Sequence, residues 1–353
     1  MGNVTTLLPS APEVPRPWKS TAGKWLRGLL MLVSLGFLLR TGIVNFPIIR
    51  EASRQVAAAN AGLIAGALML ETVWTYSLSN VYRQSLIAQG GRMSAGRALH
   101  ISMGAFSLSR MLPGGGAAGS IFAAREMVRI GNDVPTTVTS MLFSWWISVT
   151  TLAGLVVIGS GLGVVAGTVP TAYVVGPALA LAVLVAMGGA AQMARGSVGF
   201  RTLVGARVDR LAGRYGLPSS SRTWDRLAPS LHGMARTAGW ALTSWVSDAA
   251  ALWLVFAAFG ELLHPGVLMV GYGLANLINA LPELTPGWLG VMESALAVAY
   301  AALGVPAGIA MMAVLAYRLL SYWLPVGVGL VPGLKMLRAA PGLQTATPQR
   351  LAA

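Results

Sequence analysis

No cysteine occurs in 353 residues, and charged residues make up only 10% of the chain. The first absence excludes disulfides, thiolate metal ligands and cysteine nucleophiles, and it leaves the redox compartment open. The second excludes an ordinary soluble domain, in which roughly a quarter of residues are charged. Acidic residues are scarcest, with 11 Asp and Glu against 25 Lys and Arg and a net charge of +14. The three histidines, His100, His232 and His264, are scattered and read as interfacial or loop residues, not as a ligand set. There is no P-loop, no Ser-His-Asp set and no carboxylate pair at catalytic spacing, so no metal or cofactor is expected. A membrane enzyme using only Arg, Asp and Glu stays open.

What the chain has in abundance is apolar surface: 55% of its residues are hydrophobic. Lipid is the natural solvent for such a chain, and several runs reach the roughly 20 residues that cross a bilayer. The basic residues sit between these runs, which fits cytoplasmic loops against anionic headgroups and argues against nucleic acid.

The first 22 residues are polar and proline-rich, expected to be disordered and without a signal-peptide cleavage site. A membrane domain is expected over 23–335, with a disordered tail over 336–353. Full spans are expected over 25–44, 58–78, 137–159, 172–193, 238–259 and 309–330. A basic loop at 194–236 includes a candidate amphipathic surface helix at 202–213. Positive-inside bias places both termini, 81–97, 124–133 and 194–236 in the cytoplasm. The loops at 160–171 and 261–266 then lie outside, and the two arginines of 47–57 are the exception.

Two stretches fit no simple span. One is Leu112-Pro-Gly-Gly-Gly116, the other Leu281-Pro-Glu-Leu-Thr-Pro-Gly-Trp-Leu-Gly290. Each is flanked by arms too short to cross a ~30 Å hydrocarbon core. The order span, break, short arm, Val-Pro, long span occurs twice, over about 56–160 and 236–331, with Val134-Pro135 and Val305-Pro306 in matching places. With the sidedness above, the two hairpins enter from opposite faces. The expected fold is therefore an all-α polytopic membrane protein of about six full spans plus two re-entrant or broken helical hairpins in an inverted repeat.

Several residues could carry chemistry. Charges at membrane depth pair or line a wet cavity. Glu293, one turn past the second break, and Arg318, in the last span, read as a structural ion pair or as a phosphate grip oriented by a carboxylate. Arg110 precedes the first break and is placed for a headgroup, whereas Arg125, Glu126 and Arg129 read as a solvated end. Gly114, Gly115 and Gly116 offer either backbone N–H groups to an anion or a tight turn. Asp248 lies mid-span near Trp245 and Trp253, where it would carry a proton or hydrogen-bond a broken helix; Glu71 has the same two readings. Pro286, Gly287, Trp288 and Gly290 form the second break and complete the candidate substrate-binding set.

At Pro282–Glu293, Gly304-Val-Pro306 and Tyr317–Pro325, together with Leu112–Gly116 and Asp248, the chain resembles the lysylphosphatidylglycerol synthase transmembrane region, also called the flippase-like domain. The resemblance covers about residues 25–335. The family pattern implies Pro-Gly-Gly at the second break, where this chain has Trp288 in place of the second glycine, and Glu283 stands where an apolar residue is usual. The family's best-known members carry a soluble aminoacyl-transferase domain after the membrane part, which is expected to be absent here. The resemblance thus implies translocation of a phospholipid, glycolipid or polyprenyl-linked lipid in envelope assembly. The expected partner is a membrane lipid with an anionic headgroup, with a homo-oligomer or an envelope-synthesis enzyme as a further partner. The alternatives are a non-transporting partner of a glycosyltransferase or lipid synthase, and a lipid-modifying enzyme.

Overall fold

The computed structural model describes residues 59–111, 115–194, 231–279 and 291–338. The expected N-terminal segment, the span at 25–44, the loop at 47–57, most of the basic loop with its 202–213 helix, and the tail beyond Arg338 lie outside the described residues. So do Leu112–Gly114 and the whole second break, 281–290.

The first half comprises α1 (Ala61–Ala88), α2 (Ala95–Met111), α3 (Gly115–Arg129), α4 (Val134–Val165) and α5 (Ala172–Ala194). The second comprises α6 (Leu231–Ala258), α7 (Pro265–Asn279), α8 (Val291–Ala302), α9 (Ala307–Arg318) and α10 (Leu324–Arg338). A π-helical segment, Leu319–Trp323, joins α9 to α10. No strand occurs among the described residues. Helices α1, α4, α5 and α6, and the continuous stretch Ala307–Met336, are long and apolar enough to cross a bilayer. Large apolar side chains such as Met69, Leu142, Ile158, Leu179 and Val183 face outward, as lipid contact requires. The chain is a multi-pass, all-α membrane protein.

Helices α1 and α6 have 28 residues each and form the central pair. They run antiparallel, because the Asn60 N–H at the start of α1 donates to the Ala258 carbonyl at the end of α6, 3.0 Å away. The Asn60 side chain accepts from the Gly62 and Leu63 N–H groups, so the first turn of α1 is capped. Around this pair the short helices form two hairpins. Helices α2 and α3 have 17 and 15 residues, roughly 25 and 22 Å of helix, and fall short of a full crossing.

The mouth of the first hairpin is tied at the Ala88 end of α1. The Arg92 N–H donates to Asn132 Oδ1 (2.8 Å), and Asn132 Nδ2 donates to the Arg92 carbonyl (3.2 Å). The mouth of the second hairpin, α7–α8, lies at the Asn60 end. There Tyr300 donates from its hydroxyl to the Leu268 carbonyl (3.0 Å), and His264 meets Thr168 of the loop after α4 (3.1 Å). The two hairpins thus enter from opposite ends of the central pair. Both exits turn on a glycine at positive φ, Gly131 and Gly304, where a Cβ would be strained. A proline then stands at the start of each following long helix, Pro135 in α4 and Pro306 before α9.

Several boundaries differ from the sequence expectation: α1 continues to Ala88, into the stretch read as a basic loop, and α6 begins at Leu231, inside the long basic loop. Helix α4 continues to Val165, into the uncharged stretch read as loop, because Gly and Val at its end are tolerated where neighbouring helices and lipid supply the packing. The last span is one stretch with a widened turn at Leu319–Trp323. Pro325 is the physical cause: it has no N–H to give the Ser321 carbonyl, and its ring crowds that carbonyl. Beyond it α10 lies antiparallel along α2. Ser107 donates to the Val326 carbonyl (3.0 Å), and a Cβ on Gly329 would collide with the Met103 carbonyl.

Candidate functional site

Between the two hairpins lies a cavity of about 120 Å³. Its wall includes Phe106 and Arg110 from the last turns of α2, Asn276 from α7 and Met292 from α8, all residues that flank the two breaks. Asp248 from α6, Tyr317 and Arg318 from α9, and Tyr322 from the π turn complete it.

Asp248 is buried, and each of its oxygens accepts a phenol. Tyr272 donates to Oδ2 at 2.5 Å and Tyr317 donates to Oδ1 at 2.6 Å. One donor comes from the first arm of the second hairpin and the other from the span that follows it. The carboxyl therefore clamps a broken helix to two long ones. Glu71, on α1, faces this same carboxyl and is 2% exposed.

Arg318 donates from Nε to Glu293 Oε1 at 2.8 Å, joining α9 to the second arm of the hairpin. Its guanidinium carbon lies 4.2 Å from the centre of the Tyr322 ring. The Arg110 guanidinium carbon lies 5.6 Å from that centre and 5.2 Å from the centre of Phe106. Two cations from different halves of the chain thus address one ring. The π turn matters here, because a regular helix after Arg318 would set Tyr322 at another angle. Trp74 stands edge-on to Phe106 at 5.6 Å and closes the wall on the α1 side.

Arg110, Asp248 and Arg318 are brought together at one cavity, with Glu293 held to it through Arg318. Gly115 and Gly116 open α3, and the Gly116 Cα faces open space. Gly114, Pro286, Gly287, Trp288 and Gly290 lie outside the described residues. Arg129 pairs with Glu126 at 3.3 Å on an exposed face. Tyr272, Tyr317 and Tyr322 were not singled out from the sequence as site residues. The available signal was a tyrosine hydroxyl deep inside an apolar run, which demands a partner. Among the described residues, no three His, Asp or Glu side chains gather to hold a metal ion.

Chemically, the cavity offers two guanidinium groups, a phenol-bound carboxyl and aromatic walls at membrane depth. Such a set suits a small polar group carrying negative charge. The family model of the lysylphosphatidylglycerol synthase TM region matches residues 19–329. Two similar proteins, each named UPF0104 membrane protein, come from Methanothermobacter thermautotrophicus. One is 34% identical over 90 residues, covering 26% of this chain and 27% of the relative. The other is 32% identical over 90 residues, covering 25% and 26%. The matched stretch thus spans about a quarter of either relative's length.

Proposed function

Because the chain belongs to the lysylphosphatidylglycerol synthase TM-region family, we propose that it is a translocase for a lipid with an anionic headgroup in the cell membrane. One observation carries the reading. Arg110, from the first hairpin, and Arg318, tied to the second by Glu293, converge on Tyr322 in a cavity bounded by residues next to both breaks. A phosphate of a phospholipid, glycolipid or polyprenyl carrier would take bidentate hydrogen bonds from guanidinium groups. Its hydrocarbon chains would remain in the bilayer. Hairpins that enter from opposite ends give a site open alternately to each face, the usual plan of inverted-repeat carriers.

For sidedness we place the Ala88 end of α1 in the cytoplasm, with both termini. The supporting pattern is the concentration of Arg83, Arg92, Arg97, Arg125 and Arg129 around the first hairpin mouth.

The test is a transport assay in vesicles of phosphatidylcholine carrying a trace of fluorescent phosphatidylglycerol. Dithionite quenching of the outer leaflet reports exchange between leaflets. The expected result is accelerated exchange by the wild type and its loss in Arg110→Ala and Arg318→Ala variants of normal monodispersity. A parallel set with a fluorescent polyprenyl phosphate separates the lipid classes. Failure to move either lipid would sink the translocase reading and favour a non-transporting membrane partner.

A further inference from the structure

Beyond the cavity, Glu71 stands out among the described residues as a buried carboxyl, 2% exposed, with no donor to either oxygen. What it faces is another carboxyl, Asp248. Asp248 already accepts from two phenols, and its nearest cation, Arg318, is bonded to Glu293. Two carboxyls face to face without a donor between them are satisfied by one proton, which turns one of them into the donor.

A second observation is independent of the pair. Between Glu71 and its Ala88 end, α1 buries Ser77, Gln84 and Ser85, and then Gln89 at its cap. Ser77 Oγ, Ser85 Oγ and both amide atoms of Gln89 lack partners among the described residues. At the adjoining start of α4, Thr137 Oγ1 and Asp133 Oδ2 are in the same condition. The unpartnered atoms on α1 all lie on this side of Glu71 and not toward Asn60. Buried polar atoms left unpaired by protein are satisfied by water, and membrane interiors hold such rows where protons or ions pass. From Glu71 to Gln89 the row is roughly 27 Å long at the helical rise.

We propose that Glu71 and Asp248 form a proton-binding pair, reached from the Ala88 end of α1 through this hydrated polar row, that couples proton entry to headgroup transport. The coupling rests on the translocase reading above. The step is a proton transfer alone. A proton from the aqueous row joins one carboxylate oxygen, and the new O–H donates to the facing carboxylate; its departure restores two carboxylates. The groups facing the pair are Tyr272 from α7, Tyr317 and Arg318 from α9, and Arg110 from α2 across the cavity. Tyr322 lies beyond Arg318, and Glu293 of α8 acts through it. Tyr76, Tyr82 and Arg83 lie further along α1, Asp133 is the N-cap residue of α4 at the far end of the row, and α4 itself carries no titratable side chain. Negative charge on the pair and on a bound phosphate draws on the same guanidinium, that of Arg318. Protonating the pair therefore frees it for the anion, and binding the anion favours taking up the proton.

Vesicles of phosphatidylcholine and phosphatidylglycerol, loaded with a pH-sensitive dye and carrying fluorescent phosphatidylglycerol, read proton and lipid movement together. With a one-unit pH gradient, the wild type is expected to move lipid several-fold faster in the proton-driven direction, with acidification of the lumen. Glu71→Gln is expected to give equal rates with and without the gradient, and Glu261→Gln, on a loop, to keep the response. Gln89→Leu with Ser85→Ala is expected to slow acidification; an unchanged rate would overturn the path. Wild-type lipid movement that ignores the gradient would overturn coupling and leave the translocase standing. No lipid movement at all would overturn both. Infrared difference spectra of the membrane-embedded protein give a readout independent of transport: a protonated-carboxyl band is expected in the wild type and lost in Glu71→Gln. Its persistence in the variant overturns the shared proton.

Discussion

Arg318 is held by two different forces, and they can be separated one residue at a time. Glu293 supplies a charge-assisted hydrogen bond, and Tyr322 supplies a ring face. Breaking a buried ion pair on one side typically costs about 3–5 kcal/mol, because the remaining charge is stranded. Glu293→Gln is therefore expected to lower the thermal unfolding midpoint in detergent markedly. The double variant with Arg318→Met is expected to recover much of the loss, which a thermal melt series would show. Replacing Tyr322 acts differently. A guanidinium over a ring is worth about 0.5–2 kcal/mol. Tyr322→Leu should weaken binding of an anionic lipid several-fold, whereas Tyr322→Phe should leave it nearly unchanged, as read by lipid titration in nanodiscs. Asp248 is the third test. Hydrogen bonds to a charged group contribute about 1.5–3 kcal/mol each. Tyr272→Phe and Tyr317→Phe should each destabilise the protein by about that amount, and together by less than the sum, in denaturant titrations.

The elements show what could be read from sequence and what could not. Arg318 and Glu293 were legible because opposite charges inside apolar runs must find each other or water. Leu-Pro breaks and Val-Pro starts marked the hairpins, since proline and glycine are the strongest local punctuation in a helix. The partners of Asp248 were hidden. They lie 24 and 69 residues away on other helices, and no helical period links such positions. The π turn was hidden too, although Pro325 is its cause, because a proline in a membrane helix predicts some disturbance and not its form. Pro325→Ala should relax this turn toward regular helix and slow hydrogen exchange over Leu319–Trp323. The same change should weaken anionic-lipid binding by displacing Tyr322. The helix contacts can be tested directly because the chain lacks cysteine. Ser79 and Ser102 hydroxyls meet at 2.6 Å between α1 and α2, so a Ser79→Cys, Ser102→Cys pair should cross-link on mild oxidation. A mobility shift on non-reducing gels checks it.

For the molecule as a whole, sidedness is the first quantity to measure. Single cysteines replacing Ser94, by the first hairpin mouth, and Thr168, by the second, should react oppositely with a membrane-impermeant maleimide. Thr168→Cys should label in intact cells, and Ser94→Cys only after the membrane is opened. The fold repeats its shape but not its chemistry. The first half brings Arg110, Phe106, Trp74 and Glu71 to the centre; the second brings Asp248, three tyrosines, Glu293 and Arg318. Any two conformations that exchange the roles of the hairpins are therefore not mirror images in energy. In one, the hydroxyl-rich half would face the opening, and in the other, the half with Arg110 and the Trp74 indole would do so. A molecule so divided has a built-in preferred resting orientation, which would make the site's affinity differ between the two faces while leaving net movement to a gradient.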